Sequence, residues 1–124
     1  MNEKMPLNGR SVLLVEDDFI LALQARGSLE EAGAKVSGPF GRVDAALSSL
    51  EEGRPDVAVV DLNLGSGLSF DVVRALTAQG VPTLVVTGYD QHIIPPDLAS
   101  VPRLQKPTAK HQLVSAIVQL LASV

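Results

Sequence analysis

Three short apolar runs constrain the fold of this chain more than any other feature. They span Ser11–Val15, Val57–Val60 and Thr83–Val86, and each is apolar almost throughout. Such runs are typical of strands buried on both faces, as in a parallel sheet that is covered by helices. Weaker strand candidates lie at Lys35–Ser37 and Val101–Leu104. The sequence therefore predicts five strands.

Helical patterns separate the predicted strands. Apolar residues at spacings of four, four and three lie at Leu21, Ala25, Leu29 and Ala32, which places them on one face of a helix. Similar patterns follow at residues 43–50, 72–76 and 113–121. A glycine lies just beyond each of the first three patterns, at Gly33, Gly53 and Gly80. Because glycine readily adopts the left-handed conformation that closes a helix, we expect three helix ends there.

This alternation of strands and helices predicts an α/β fold. Repeated βα units give a parallel sheet with right-handed crossovers and helices on both faces. Five strands in a chain of 124 residues fit the flavodoxin-like, doubly wound (βα)5 order 2-1-3-4-5. Pro95 and Pro96 interrupt the segment between the last two strands, so the fourth helix is expected to be shortened or disordered.

The composition narrows the possible classes of function. The length suits a single domain, which we place at residues 10–124 with residues 1–9 as an N-terminal extension. A net charge of −4 and an aromatic content of 3 % argue against nucleic acid binding. The chain has no cysteine, and no apolar run approaches the ~20 residues that a membrane span requires. A cytoplasmic location is therefore expected.

Polar side chains follow four of the predicted strands. Glu16 and Asp17 follow the first strand, Asp61 the third, Thr87 the fourth and Lys106 the fifth. In an open parallel sheet, binding sites form beyond the carboxyl ends of the strands. The expected strand order brings these four strand ends close together, so they predict one shared pocket.

The acidic residues of this pocket suit a divalent cation. Carboxylates that share a pocket repel each other and resist joint ionisation, and Mg²⁺ prefers oxygen ligands. With the metal bound, the Asp61 carboxylate can attack phosphorus while the cation neutralises phosphoryl charge. Thr87 would hydrogen-bond one phosphoryl oxygen, and Lys106 would pair with another.

Each of these residues has a plainer interpretation when it is taken alone. An acid at a strand end is often a helix N-cap, which would account for Asp17 or Asp18. Lys106 alone fits a solvated lysine, and Thr87 alone fits a turn residue. The joint occurrence of functional groups at four strand ends, in the required order, favours the pocket.

The motifs at these strand ends resemble a known family. They are Leu14-Val15-Glu16-Asp17-Asp18, Val59-Val60-Asp61-Leu62-Asn63, Val85-Val86-Thr87-Gly88 and Gln105-Lys106-Pro107. The ordered set resembles the receiver domain of two-component response regulators, and the resemblance extends from about Arg10 to Val124.

The resemblance implies roles for individual residues. Asp61 is similar to the phosphoacceptor, Asp17 to the direct metal ligand and Glu16 to the acid that binds the metal through water. Asn63 matches the residue whose backbone carbonyl completes the Mg²⁺ site. Thr87 matches the switch hydroxyl.

Lys106 matches the lysine that contacts the phosphoryl group. The Lys106–Pro107 peptide bond matches one that is usually cis in this family.

The resemblance also implies the partners. A sensor histidine kinase or a histidine phosphotransfer protein would supply the phosphoryl group, and the chain would catalyse its own phosphorylation and dephosphorylation without being an enzyme for a diffusing substrate. Output would pass by protein–protein interaction or phosphotransfer, with a phosphorylation-dependent dimer as one form. Direct contact with nucleic acid or membrane is not expected. Alternatively, the chain is a receiver excised from a larger response regulator or hybrid kinase.

Two positions depart from the usual receiver pattern, and one stretch is similar to a subgroup of the family. Arg103 stands where most receivers have an aromatic residue three positions before the lysine, and Gly65 stands where most have proline. The stretch from Val81 to Tyr89 is similar to an atypical Thr-Gly-Tyr subgroup common in alphaproteobacteria. We hypothesise that Tyr89 or the loop after it replaces the usual aromatic switch.

Competing functions make different demands on the sequence. A phosphatase of the haloacid dehalogenase type needs a second aspartate two residues after the nucleophile, where this chain has Asn63. A flavodoxin-like nucleotide or flavin site needs a phosphate loop after the first strand, where this chain has three acids. A degenerate receiver that acts only as a binding module would not need all five key side chains of the pocket, which this chain has: Glu16, Asp17, Asp61, Thr87 and Lys106.

Overall fold

The computed structural model describes residues 5–64, 67–88 and 94–122. Its main sheet has five strands: β1 (Ser11–Val15), β2 (Lys35–Phe40), β3 (Val57–Asp61), β4 (Thr83–Thr87) and β5 (Arg103–Gln105). All neighbouring strands are parallel, and their order is β2-β1-β3-β4-β5. The predicted doubly wound order 2-1-3-4-5 is confirmed.

Four α-helices accompany the sheet in the part of the chain that is described. They are α1 (Phe19–Glu31), α2 (Val43–Glu52), α3 (Phe70–Ala78) and α4 (Lys110–Ala122). Between β4 and β5, the described residues form a single 3₁₀ turn at Pro96–Leu98. The predicted shortening at the diproline is confirmed. None of these helices combines the length and the apolar character needed to cross a bilayer.

The core consists of two apolar layers, one on each face of the sheet. Successive side chains of a strand point to opposite faces. Accordingly, Leu13 and Val15 of β1 pack in the layer that contains residues of α2 and α3, while Val12 and Leu14 pack in the layer with residues of α1 and α4. The buried polar residues of the strands, Asp61, Thr83 and Thr87, lie at strand ends, and Glu16 directly follows β1.

The two edge strands differ from their predicted bounds. β2 continues to Phe40 beyond the expected end at Ser37, and β5 begins at Arg103 instead of Val101. Both strands lie at the edges of the sheet and alternate exposed with half-buried residues. Their apolar content is therefore too low to mark their ends.

All three expected helix ends near these glycines are confirmed, and two of the three glycines adopt the left-handed conformation. Gly33 and Gly80 have φ values of 99° and 74°, in the left-handed region. Gly53 has a φ of 171°, which is extended backbone, so the prediction of a left-handed residue there is wrong.

The buried face of α1 is only partly the predicted one. Leu29 and Ala32 are buried and Ala25 is half-buried, but Leu21 is 37 % exposed. Ala22 takes the buried position in the first turns of the helix. The first turns of α1 therefore bury the small side chain of Ala22 and leave the bulkier Leu21 partly exposed.

Part of the expected N-terminal extension packs against the domain. The Leu7 side chain is fully buried in the layer with α1 and α4 residues. The Leu7 backbone N–H donates to the Ala32 carbonyl at 2.8 Å, just beyond the end of α1. The folded unit therefore includes Leu7, upstream of the boundary expected at residue 10.

Candidate functional site

The predicted site residues converge at the carboxyl edge of the sheet. Glu16 and Asp17 follow β1, Asp61 is the last residue of β3, and Lys106 follows β5. The structure brings ligand oxygens of Glu16, Asp17 and Asp61 within 4.8 Å of one another. Because Asp61 is only 4 % exposed and Glu16 9 %, while Asp17 is exposed, the cluster opens to solvent on the Asp17 side.

Lys106 is the cation that faces these acids. Its Nζ lies 2.8 Å from Asp61 Oδ2 and 3.2 Å from Glu16 Oε1. The Lys106–Pro107 peptide bond is cis, as the resemblance implies. The Lys106 backbone N–H donates to the Thr87 carbonyl at 2.6 Å, which ties the end of β5 to the end of β4.

The two acids and one lysine form an unbalanced group of charges. Burial, followed by the neighbouring Asp61 carboxyl, raises the pKa of Glu16 to about 7, although the Asp18 N–H and Lys106 act in the opposite direction. Burial alone would lower the pKa of Lys106, but its hydrogen bond and attraction to Asp61, with Glu16, outweigh burial and raise that pKa. A second positive charge would therefore stabilise both carboxylates.

The donor set fits Mg²⁺. The clustered atoms are carboxylate oxygens, which are the ligands that Mg²⁺ prefers, and the exposed Asp17 side leaves access for the metal's own waters. Asn63 is exposed two residues beyond Asp61, and its N–H donates to Asp61 Oδ1 at 3.1 Å.

Asp18 has the plainer role that was considered for it. Its Oδ1 accepts from the Leu21 N–H at 2.9 Å and thereby caps α1. Its own N–H donates to Glu16 Oε2 at 3.1 Å. Asp18 thus orients Glu16 through the backbone while its side chain begins the helix.

The predicted switch residues differ in their exposure and in whether the structure describes them. Thr87 is 7 % exposed at the end of β4, one residue beyond the partner of Asp61 in the sheet register. Arg103 is exposed at the start of β5, beside a small cleft lined by Phe70, Ile94 and Leu98. Tyr89 lies outside the described residues.

Sequence reasoning missed Ser69. Its side chain is fully buried, and its Oγ lies 2.7 Å from the Asp61 carbonyl oxygen. A serine just before an apolar helical pattern indicates only an N-cap. No local pattern shows that the chain returns to place this hydroxyl beneath the phosphoacceptor candidate.

Sequence reasoning also missed an exposed apolar surface beside the site. Large apolar side chains that are more than a third exposed lie in the first turns of α1, and we call them the α1 surface: Phe19 (73 %), Ile20 (60 %), Leu21 (37 %) and Leu23 (50 %). A groove of about 500 Å³ runs from Leu21 and Leu23 to Asp61 and Lys106. The helical spacing around Leu21 was a signal for a buried face, so it pointed away from this surface.

Comparisons with known proteins agree with this geometry. Residues 12–118 match the family described as the response regulator receiver domain. A solution structure of SdrG from Sphingomonas melonis Fr1 is 31 % identical, with a TM-score of 0.78 over 90 % of this chain and 96 % of that one. A search of curated proteins finds no match.

Two further solved structures have the same fold. A response regulator receiver protein from Sinorhizobium medicae WSM419 is 25 % identical, with a TM-score of 0.78 over 94 % of this chain and 98 % of that one. The receiver domain of the PhyR response regulator from Erythrobacter litoralis is 21 % identical, with a TM-score of 0.83 over 94 % and 92 %. With a family match across most of its length, this chain belongs to the response regulator receiver domain family.

Proposed function

We propose that this receiver domain accepts a phosphoryl group on Asp61 in a Mg²⁺-dependent reaction. The observation that carries the proposal is the position of the buried Asp61 carboxylate. Its Oδ2 lies 2.8 Å from Lys106 Nζ, and the same carboxylate belongs to the cluster with Glu16 and Asp17 that suits a divalent cation. Glu16, Asp17, Asp61 and the Asn63 carbonyl would bind the metal.

The chemistry is a transfer from a phosphohistidine to a carboxylate. An Asp61 oxygen forms a bond to phosphorus, the phosphorus–nitrogen bond breaks, and the electron pair of that bond remains on the histidine nitrogen. Bound Mg²⁺ would neutralise charge on the phosphoryl oxygens. Lys106, which now contacts Asp61 Oδ2, is close enough to pair with a phosphoryl oxygen placed there.

The donor is proposed to be a sensor histidine kinase or a histidine phosphotransfer protein that docks on the α1 surface. A contiguous group of exposed apolar side chains is typical of a protein interaction site. Phe19 is 73 % exposed only two residues after Asp17, and a groove joins Leu21 and Leu23 of the same surface to Asp61 and Lys106. This continuity with the site favours the donor as the occupant.

Output is proposed to follow from a change around Thr87 on phosphorylation. The Thr87 carbonyl accepts a hydrogen bond from the Lys106 N–H. Through this bond, a movement of Thr87 at the end of β4 would also move Lys106 after β5. The participation of Tyr89 and residues 88–100 stays a prediction. NMR spectra of the apo protein and of its beryllofluoride complex test it, and an unchanged 88–100 segment would refute it.

Labelling of the intact chain tests the proposed function. Incubation with a small acyl phosphate and MgCl₂ should add one phosphoryl group, detected by intact mass, and hydroxylamine should remove it. EDTA should prevent the labelling, because the charge on the acidic cluster is then not neutralised. Labelling that is unaffected by EDTA, or absent with every donor, would contradict the proposal.

Small phosphomonoesters give a second, discriminating assay. A phosphatase of the aspartate-nucleophile type would turn them over, whereas the receiver mechanism predicts a single phosphorylation with no sustained release of phosphate. The residue two positions after Asp61 is Asn63, which lacks the acidic proton that such turnover requires.

A further inference from the structure

Ser69 lies in a position that its place in the sequence does not explain. It is the N-cap residue of α3, yet its side chain makes no capping hydrogen bond. At the corresponding position of α1, the Asp18 carboxylate does accept from its helix. The Ser69 hydroxyl is therefore used for something other than beginning α3.

The hydroxyl contacts the backbone that carries the phosphoacceptor. Ser69 Oγ lies 2.7 Å from the Asp61 carbonyl oxygen and 3.1 Å from the Leu62 carbonyl oxygen. The Ser69 N–H also donates to the Leu62 carbonyl at 2.9 Å. The side chain is fully buried, so water does not compete for these contacts.

The chain reaches this position through a short antiparallel ribbon. Asn63 pairs with Leu68, and Leu64 pairs with Gly67. This pairing returns the chain to β3, and Ser69 follows directly.

The contacts of Ser69 and Asp61 connect into one network. Ser69 Oγ fixes the Asp61 carbonyl, while the Asp61 carboxylate accepts from the Asn63 N–H at 3.1 Å. A rotation of the peptide between Asp61 and Leu62 would break the first contact and displace Asn63. The Ser69 hydroxyl therefore restrains the Asp61 backbone directly, and through that backbone it supports the contact between the Asp61 carboxylate and the Asn63 N–H.

We infer that Ser69 is a positioning residue that sets the Asp61–Asn63 segment in the geometry required for Mg²⁺ binding and phosphorylation. The inference rests on the proposed function of the same site. Groups that orient metal ligands typically change affinity or activity by about tenfold to a hundredfold when they are removed. We expect an effect of that order from the loss of this one hydroxyl.

The test compares two Ser→Ala variants. Ser69→Ala should weaken binding of Mg²⁺ alone, measured by calorimetric titration, by about tenfold, and should slow labelling by a small acyl phosphate by a similar factor. The matched control is Ser11→Ala. It removes a hydroxyl that hydrogen-bonds with Asp56 at the opposite ends of the strands, where they begin. It should leave both quantities unchanged. Urea unfolding of both variants separates these effects from a general loss of stability.

Rescue and a local probe complete the test. Ser69→Thr keeps the hydroxyl and should restore Mg²⁺ affinity. Ser69→Gly removes the hydroxyl without leaving a methyl group near the carbonyls, and it should bind Mg²⁺ as weakly as Ser69→Ala. The Asn63 amide resonance should shift in the Ala and Gly variants and remain in place in Ser11→Ala. Wild-type Mg²⁺ affinity in Ser69→Ala or Ser69→Gly would overturn the inference. Failure of the wild type to be labelled would instead overturn the proposed function.

Discussion

Two carboxylates lie beside backbone donors at opposite ends of the strands, one at the amino edge, where the strands begin, and one at the carboxyl edge, where they end. Their pKa values are shifted in opposite directions. At the amino edge, Asp56 accepts from the Ser11 N–H at 2.8 Å and from Ser11 Oγ at 3.2 Å, and the Ser11 N–H above all lowers the pKa of Asp56. At the carboxyl edge, burial and Asp61 raise the pKa of Glu16 to about 7.

The difference comes from the balance of charges. Asp56 is a single acid with two donors from Ser11 and with Arg10 and Arg54 near enough to favour its charged form. Glu16 and Asp61 instead share Lys106, which contacts both of them. The amino edge therefore stabilises the fold as it stands, whereas the carboxyl edge carries negative charge that a bound cation would offset. An acid whose charge is compensated by its neighbours, such as Asp56, stabilises the fold, whereas acids that crowd together, such as Glu16 and Asp61, form a binding site for a cation.

The largest expected effect separates the two edges by reactivity. Asp61→Asn should reduce phosphorylation to background, because an amide does not form the acyl phosphate. The matched substitution Asp56→Asn should retain wild-type labelling. Intact mass after incubation with acyl phosphate and MgCl₂ measures both. Persistent labelling of the Asp61 variant would show that the reactive group lies elsewhere.

Metal binding should separate two adjacent acids within the carboxyl edge. Asp17→Asn should weaken Mg²⁺ binding by at least about tenfold, because it removes a charged ligand from the cluster. Asp18→Asn should have little effect on affinity, because asparagine also caps helices well. Magnesium titrations of the two variants give the comparison, and equal losses would contradict the separate roles.

A substitution on the α1 surface should affect phosphorylation by a protein donor but not phosphorylation by a small acyl phosphate. Leu23→Gln should slow transfer from a phosphorylated protein donor by about tenfold, equivalent to about 1.4 kcal/mol, because Leu23 is half exposed in the proposed interface. Labelling by a small acyl phosphate should stay unchanged and serves as the internal control. A parallel loss with both donors would indicate damage to the site itself.

The smallest effect concerns stability at the amino edge. The folded-state pKa of Asp56 is lowered, so its stabilisation is present above the unfolded pKa of about 3.9 and is lost as pH falls through the folded value. Asp56→Asn should cost about 0.5–1 kcal/mol near neutral pH. Urea unfolding across pH measures this cost, which should vanish in acid. A cost independent of pH would show that the charge plays no part.

The sequence determined the architecture and the site residues to a large extent. Buried strands β1, β3 and β4 were readable because both of their faces are apolar, and the parallel order followed from the alternation with helices. Once that order is set, Glu16, Asp17, Asp61 and Lys106 must meet at one edge. Their local spacing was sufficient because each lies directly at a strand end.

Only the tertiary structure decided what lies around these residues. The burial of Ser69 beneath Asp61 depends on the ribbon that returns the chain to β3, and a local pattern does not specify such a return. The exposure of Leu21 and the burial of Ala22 depend on how α1 is turned against the sheet. The raised pKa of Glu16 likewise arises from burial and from a neighbour 45 residues away in sequence. Hydrophobic periodicity fixes which elements form, whereas long-range packing fixes the surroundings of each polar group.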